Sequence, residues 1–163
     1  MQSDVNFDAI WRPDVTVATI VARDGRFLVV EEVVRDEWVL NQPAGHLEPD
    51  ETLHAAALRE TLEETGWTVE LTDLVGVYQW SSADGKRQFL RFAFAATPLA
   101  HDPQRRLDEG IVRALWLTHE EIVSESARLR RPMVLGNIDD WLAGRRHPLS
   151  AIQSLLPAAH SAR

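Results

Sequence analysis

The sequence predicts an α+β fold in which helices pack against a mixed β-sheet. Apolar, β-branched segments stand before and after one strongly helical segment, and a second helical region follows near the carboxyl end. Asp-Gly pairs separate neighbouring strand segments, as hairpin turns do. The order of strands, helix, strands and helix therefore indicates α+β layering.

Three strands are predicted before the main helix. Segment 15–22 reads VTVATIVA and is almost entirely apolar and β-branched, which is typical of a buried strand. Asp24-Gly25 favours a hairpin turn, so segment 26–34 is expected to return as the partner strand. Segment 37–40 is a short third strand that leads into the NQPAG loop at 41–45.

The main helix is predicted over 53–65. Thr52 suits its N-cap, and Gly66 suits a left-handed residue just past its last turn. The apolar stripe expected to face the core consists of Ala55, Leu58 and Leu62.

More strands and two helices are predicted after the main helix. The expected strands are 68–71, 74–81, 88–96 and 114–117, with an Asp-Gly turn at 84–85. Thr118 and Glu121 form a capping box for a helix that ends near Ser124. A last helix is expected near 133–143, and the tail at 157–163 is expected to be frayed.

Composition is that of a single enzyme-sized domain. The 163 residues suffice for one domain (1–163) with a sizeable core at about 12–150. A net charge of −8 argues against binding to nucleic acid, and the lack of cysteine excludes disulfides and thiolate chemistry. Residues 1–15 have no apolar run like that of a signal peptide, and no segment approaches the roughly 18 apolar residues of a membrane span. A cytoplasmic protein without a membrane partner is therefore expected.

The most distinctive feature is the segment at 45–67, GHLEPDETLHAAALRETLEETGW. Its spaced residues are Gly45, Glu51, Arg59-Glu60, Glu63-Glu64 and Gly66. A helix brings residues three and four apart onto one face, so Glu60, Glu63 and Glu64 form one acidic patch. Such a patch is often only a solvated helix face, but Mg²⁺ prefers carboxylate oxygens and would offset the repulsion between these side chains.

This spacing resembles the signature of the Nudix hydrolases, enzymes that cut diphosphate linkages with a divalent metal. The resemblance implies the Nudix fold, an α/β/α sandwich with a mixed sheet in which the signature forms a loop–helix–loop. Further segments are similar to one phosphatase branch of the family: FLVVEE at 27–32, NQPAGHLE at 41–48, FLRF at 89–92 and RRP at 130–132. One position departs, because Thr61 stands where the family usually has a bulky aliphatic residue.

The resemblance implies a metal site and the residues that support it. The implied ligands are the carbonyl of Gly45 and the carboxylates of Glu60, Glu63 and Glu64. Mg²⁺ is the expected cofactor, with Mn²⁺ as a substitute. Arg59 matches the family arginine that holds the glutamates through hydrogen bonds, although a plain surface ion pair is the alternative. Glu51 is expected to support Arg59 or the ligands, and Gly66 has a structural role.

The implied reaction is metal-assisted attack of water at phosphorus. Within the signature, Glu63 is the first candidate for the base that takes the proton. Some family members use a glutamate from a downstream loop, and Asp108-Glu109 lies shortly before the strand predicted at 114–117. Glu109 is therefore a second catalytic candidate, with an ordinary loop charge as the equal alternative.

Candidates for substrate contacts are less specific. Trp38 could stack on a planar ring or simply lie half-buried in a sheet. Asn41 and Gln42 could hydrogen-bond a ring edge or satisfy a loop. Arg91 shares a strand face with Phe89, so it could clamp a phosphate or be a surface arginine.

Similarity to the phosphatase branch implies hydrolysis of nucleoside di- and triphosphates. It also implies hydrolysis of the pyrophosphates of thiamine and of its hydroxymethylpyrimidine precursor. Two alternatives stay open: an ADP-ribose or nucleotide-sugar pyrophosphatase, and a Nudix-fold binding module without turnover. The intact signature argues against the second. The expected partner is a small phosphorylated molecule, bound by a monomer or a homodimer.

Overall fold

A computed structural model describes residues 11–156. The strands are β1 (Asp14–Arg23), β2 (Arg26–Val34), β3 (Glu37–Asn41), β4 (Ala44–His46), β5 (Trp67–Ser81), β6 (Gln88–His101) and β7 (Ile111–Thr118). The helices are α1 (Leu53–Thr65), α2 (His119–Ser124) and α3 (Met133–Leu142), with 3₁₀ turns at Ser126–Arg128 and Leu149–Ala151. The tail predicted to be frayed, 157–163, lies outside the described residues, as do residues 1–10.

Strand β1 is shared by two groups of strands. In the first sheet it lies between β4, to which it is antiparallel, and β6, to which it is parallel; β5 then pairs antiparallel with β6. In the second sheet β2 lies between β3 and β7, antiparallel to both. The two sheets are joined at the β1–β2 hairpin through the pairs Ala22–Phe27 and Arg23–Arg26. This mixed pairing, with helices added, confirms the predicted α+β class.

Helices cover opposite faces of the first sheet. Val17 of β1 packs in a buried cluster with Ala56 of α1. Ile20, which points the other way along the strand, packs with Ile122 of α2 and Ile138 of α3. The layers are therefore helix, sheet and helix, as the α/β/α prediction requires.

Helix α1 begins and ends where predicted but buries a different face. Thr52 accepts a 3.1 Å hydrogen bond from the backbone N–H of Ala55, and Gly66 ends the helix at φ 71°. The predicted core stripe is wrong, because Ala55 is exposed, Leu58 is 39% exposed and Leu62 is only half-buried. Large apolar side chains thus lie on the outer side of α1.

The buried face of α1 is small and polar. Its members are Ala56, Ala57, Glu60, Thr61, Glu64 and Thr65. The Thr61 hydroxyl donates to the Ala57 carbonyl at 2.7 Å, so it must accept the 2.8 Å hydrogen bond it shares with Thr19 of β1. The departure from the family pattern at Thr61 therefore replaces aliphatic packing with a hydrogen bond between the helix and the sheet.

Several strand boundaries differ from the prediction. β5 is continuous where two strands were expected, because register shifts after Thr68, Leu71 and Leu74 absorb the irregularity in its pairing with β6. β6 continues beyond the predicted end at Ala96. β4 was not predicted as a strand. The capping box of α2 is confirmed, and none of the described helices is long and apolar enough to cross a bilayer.

Replacing Thr61 by Val should destabilise the protein more than replacing Thr19 by Val. Thr61→Val leaves the buried Thr19 hydroxyl without its acceptor, at a cost of about 1–3 kcal/mol. Thr19→Val leaves Thr61 bonded to Ala57 and should cost under about 1 kcal/mol. The double variant should resemble Thr19→Val, since no hydroxyl is then left unpaired. Urea unfolding followed by circular dichroism measures all three, and equal costs for the single variants would contradict this reading.

Candidate active site

An open cavity of about 590 Å³ lies where the two sheets separate. The first sheet contributes Thr16, Phe89 and Arg91, and the second contributes Glu32 and Asn41. The predicted loop–helix contributes Gly45, Glu60 and Glu64. The cavity is also lined by residues 108–111, before and at the start of β7, and by Arg130 and Arg131 before α3.

Three carboxylates meet at one end of this cavity. Oxygens of Glu60, Glu63 and Asp108 all lie within 4.8 Å of one another. Burial raises the pKa of Glu60, and the hydrogen bond from Arg59 opposes that rise. The backbone N–H of Asp108 donates to the Glu63 carbonyl at 3.1 Å, which ties the downstream loop to α1.

The downstream loop thus places both of its acids at the cavity. Glu109 lines the cavity, whereas Asp108 is the residue whose oxygen joins those of Glu60 and Glu63. The tie between the Asp108 backbone and α1 fixes which of the two neighbouring side chains turns toward the glutamates. Sequence spacing indicated the loop and could not separate the two acids.

Glu64 lies deeper than the other glutamates of α1. Its Oε2 accepts a 2.8 Å hydrogen bond from the backbone N–H of Ala44. Burial raises the pKa of Glu64 to about 8, and the nearby Glu60 and Glu32 add to that rise. This buried carboxylate therefore faces other acids across the end of the cavity.

Arg59 holds the acidic end of the cavity together. Its Nε and Nη2 donate to the two oxygens of Glu51 at 3.0 and 2.6 Å. Its Nη1 donates to Glu60 at 2.8 Å and to Glu63 at 3.0 Å, and Nη2 also reaches the His46 carbonyl at 3.1 Å. The paired hydrogen bonds hold the pKa of Glu51 below its ordinary value and raise that of Arg59. This arrangement is a shared network and not an isolated surface ion pair.

Gly45 leaves the space that the Glu60 side chain occupies. A Cβ atom built at Gly45 would collide with the Glu60 carboxylate. The residue lies in β4 opposite Val17, so the backbone there is fixed by the sheet. The requirement at this position is therefore space for the carboxylate.

The donor set at this end of the cavity fits a divalent cation. Carboxylate oxygens are hard ligands of the kind that Mg²⁺ and Ca²⁺ take, and here they converge from α1 and from the loop before β7. The Glu60 carboxylate already fills the space beside Gly45. Glu60, Glu63 and Asp108, with Glu64 beside them, can hold such an ion.

The opposite wall of the cavity carries positive charge. Arg91 is 3% exposed, and burial together with Arg131 and Arg130 lowers its pKa to about 10, which still leaves it protonated at neutral pH. Arg130 forms an ion pair with Glu32. The Arg131 guanidinium lies 3.9 Å from the ring centre of Phe89. Of these residues, only Arg91 was predicted from the sequence to contact substrate, although Glu32, Arg130 and Arg131 lie in segments that carried the family resemblance.

The remaining predicted substrate residues divide into two groups. Asn41 lines the cavity, and its Nδ2 donates to Glu32 at 3.1 Å. Gln42 is buried outside the lining. Trp38 is 53% exposed, and alternation along β3 puts it on the face opposite Asn41. Both residues therefore lie outside the lining of this cavity, and their role in substrate binding stays a prediction.

Comparison with solved structures supports this description of the fold. A NUDIX hydrolase from Nitrosomonas europaea superposes with a TM-score of 0.86 and 44% sequence identity, over 88% of this chain and 97% of that one.

Curated relatives agree with the structural comparison. Phosphatase NudJ of Escherichia coli K12 is 42% identical over 143 residues, which is 88% of this chain and 92% of NudJ. Phosphatase NudJ of Shigella flexneri matches to the same extent. The NUDIX domain model matches residues 11–137. The chain therefore belongs to the Nudix family and is a hydrolase that acts on phosphoanhydride bonds.

Proposed function

We propose that this protein is a cytoplasmic, Mg²⁺-dependent phosphohydrolase of nucleoside di- and triphosphates and of thiamine-type pyrophosphates. The thiamine-type substrates would be thiamine pyrophosphate and hydroxymethylpyrimidine pyrophosphate, and Mn²⁺ would substitute for Mg²⁺. One observation carries the proposal: a carboxylate cluster and a buried, protonated Arg91 line the same cavity.

This pairing of charges suits a substrate with linked phosphates. A protein of net charge −8 repels anions at long range, so a phosphorylated substrate needs local cations. The carboxylate cluster recruits a metal ion for one phosphate, and Arg91 offers a fixed positive charge close by. A monophosphate would use one of these two features only.

The residues proposed to hold the metal are Glu60, Glu63, Glu64, Asp108 and the carbonyl of Gly45. A bound divalent ion neutralises phosphate charge and makes water a better nucleophile. Arg59 has a positioning role, because its hydrogen bonds to Glu60 and Glu63 fix where those carboxylates point.

Glu63 is the proposed base that takes a proton from the attacking water. Its side chain is 31% exposed, so it can exchange that proton with solvent, and Arg59 fixes one of its oxygens. Asp108 is the alternative, since it lies in the same cluster. Glu109 lies outside the cluster and is retained as a weaker candidate.

The substrate class rests on similarity to proteins named phosphatase NudJ. Those relatives are matched over 92% of their length, so the similarity is not confined to the signature segment. An ADP-ribose pyrophosphatase from Streptococcus suis shares 14% identity and shows only a common fold. A binding module without turnover is opposed by the complete carboxylate cluster.

The proposed activity is tested by a Mg²⁺-dependent hydrolysis panel with product identification. Its substrates are nucleoside di- and triphosphates, thiamine pyrophosphate, hydroxymethylpyrimidine pyrophosphate and ADP-ribose. We expect orthophosphate release from the nucleotides and from both thiamine-type compounds. Glu64→Gln removes a proposed ligand and should lower the rate more than about 100-fold. Glu70→Gln, an exposed glutamate on β5, is the matched control.

The alternatives give different results in the same panel. AMP and a sugar phosphate formed from ADP-ribose, with slow turnover elsewhere, would identify a nucleotide-sugar type of pyrophosphatase. Metal binding without turnover of any compound would identify a binding module. Equal activity in Glu64→Gln and wild type would contradict the proposed site.

Gly45→Ala should weaken metal binding without unfolding the protein. The new methyl group would push aside the Glu60 carboxylate, which is the end of a flexible side chain, so the backbone need not move. The Mg²⁺ concentration for half-maximal activity should rise about 10- to 100-fold, while the thermal unfolding midpoint stays near that of wild type. Gly136→Ala, where the added methyl meets no atom within 4 Å, is the control.

Asp108→Asn should impair hydrolysis more than Glu109→Gln. Both variants remove one negative charge from the same loop, but only the Asp108 oxygen joins those of Glu60 and Glu63. We expect Asp108→Asn to lower kcat at least about tenfold and to raise the Mg²⁺ requirement. A larger loss in Glu109→Gln, measured at saturating Mg²⁺, would restore Glu109 as the catalytic residue of this loop.

A further inference from the structure

Arg91 is a buried cation whose donors are largely unused. Its Nε and Nη1 are buried and have no hydrogen-bond partner among residues 11–156. A buried ionised group without a partner is costly, so such groups are usually paired or serve a ligand. Because Arg91 lines the cavity, its free donors lie where a ligand can reach them.

Arg131 is the second cation with free donors at this wall. Its guanidinium lies 3.9 Å from the ring centre of Phe89 and 4.6 Å from that of Trp80. Within the described part of the chain, the Arg131 guanidinium forms neither a hydrogen bond nor an ion pair. Stacking on two rings fixes the plane of a guanidinium and leaves its N–H edge available.

Three other arginines near the cavity, Arg130, Arg87 and Arg59, are already paired with acids. Arg130 pairs with Glu32, and Arg87 donates twice to Asp14 at 3.1 and 3.0 Å. Arg59 is occupied by the carboxylates of the loop and α1. Among the described cavity-lining residues, Arg91 and Arg131 therefore combine positive charge with a buried or aromatic setting, and neither forms an ion pair.

The two arginines lie close to each other and to the acidic end of the cavity. Arg131 is near enough to lower the pKa of Arg91, while Glu64 and Glu32 act on it in the opposite direction. The two arginines and the carboxylates therefore line the same cavity.

We infer that Arg91 and Arg131 form a phosphate-binding subsite that works without metal. It would take the substrate phosphate that the metal does not hold, or free orthophosphate after hydrolysis. Guanidinium groups match phosphate oxygens with pairs of hydrogen bonds, and two of them balance a doubly charged phosphate. The inference deepens the proposed function and rests on it for the identity of the natural ligand.

The test is titration of orthophosphate into metal-free protein in EDTA, followed by calorimetry and ³¹P NMR. Wild type should bind one phosphate saturably. Arg131→Ala should weaken binding about tenfold or more, because charge-assisted hydrogen bonds are lost. Arg131→Lys keeps the positive charge but loses the planar guanidinium that stacks on the rings and donates paired hydrogen bonds. This variant should therefore also weaken phosphate binding. Arg145→Ala, which removes one exposed positive charge after α3, should bind as wild type does.

Two results would overturn the subsite. One is the lack of saturable phosphate binding by folded wild type in EDTA. The other is unchanged affinity in both Arg131 variants, of which the lysine variant serves if the alanine variant does not fold. Neither result depends on turnover. If the protein hydrolyses substrates but does not bind phosphate without metal, the subsite is contradicted and the proposed function stands. Metal-free binding that Arg131→Ala weakens, in a protein inactive on the whole panel, supports the subsite and removes the proposed function.

Discussion

The arrangement of this protein depends on one guanidinium that lets several carboxylates share a small volume. Glu60 and Glu63 lie on the same side of α1 and would repel each other if they were alone. Arg59 binds both, and its paired hydrogen bonds to Glu51 extend the network into the loop before the helix. Because Glu51 also accepts the backbone N–H of Glu48, loop and helix form one charged unit. The geometry of the acidic end follows from that unit.

The way α1 docks explains why these carboxylates face a cavity and not open solvent. The helix presents Ala56, Ala57 and hydroxyl groups to the sheet, and these small side chains permit a close approach. The Thr19–Thr61 hydrogen bond adds a fixed polar contact. Close docking carries Glu60 and Glu64 inward, where burial raises their pKa values. The same packing that stabilises the fold thus makes the acidic end receptive to a cation.

Local chemistry made part of this structure predictable from sequence. Thr52 and Gly66 set the ends of α1 because caps act within one turn, and the glutamate spacing identified the acidic patch. The face of α1 that packs on the sheet could not be predicted from its apolar residues. The large side chain of Leu58 lies on the exposed side of the helix, and the buried side is small and polar. Arg131 was missed because only the folding together of distant strands puts it beside Phe89. The position of Trp38 relative to the cavity could not be predicted, because strand alternation does not say which face of a strand meets a cavity.

The separation of the two sheets below the β1–β2 hairpin has a consequence for how this enzyme can change. The acidic end is built by α1 with its neighbouring loops, whereas the cationic wall is built by β6 and the segment before α3. Substitutions at Arg91 or Arg131 therefore leave the hydrogen bonds between Arg59 and its carboxylates in place. Substrate preference can then change through the arginine wall while the metal-binding carboxylates stay the same.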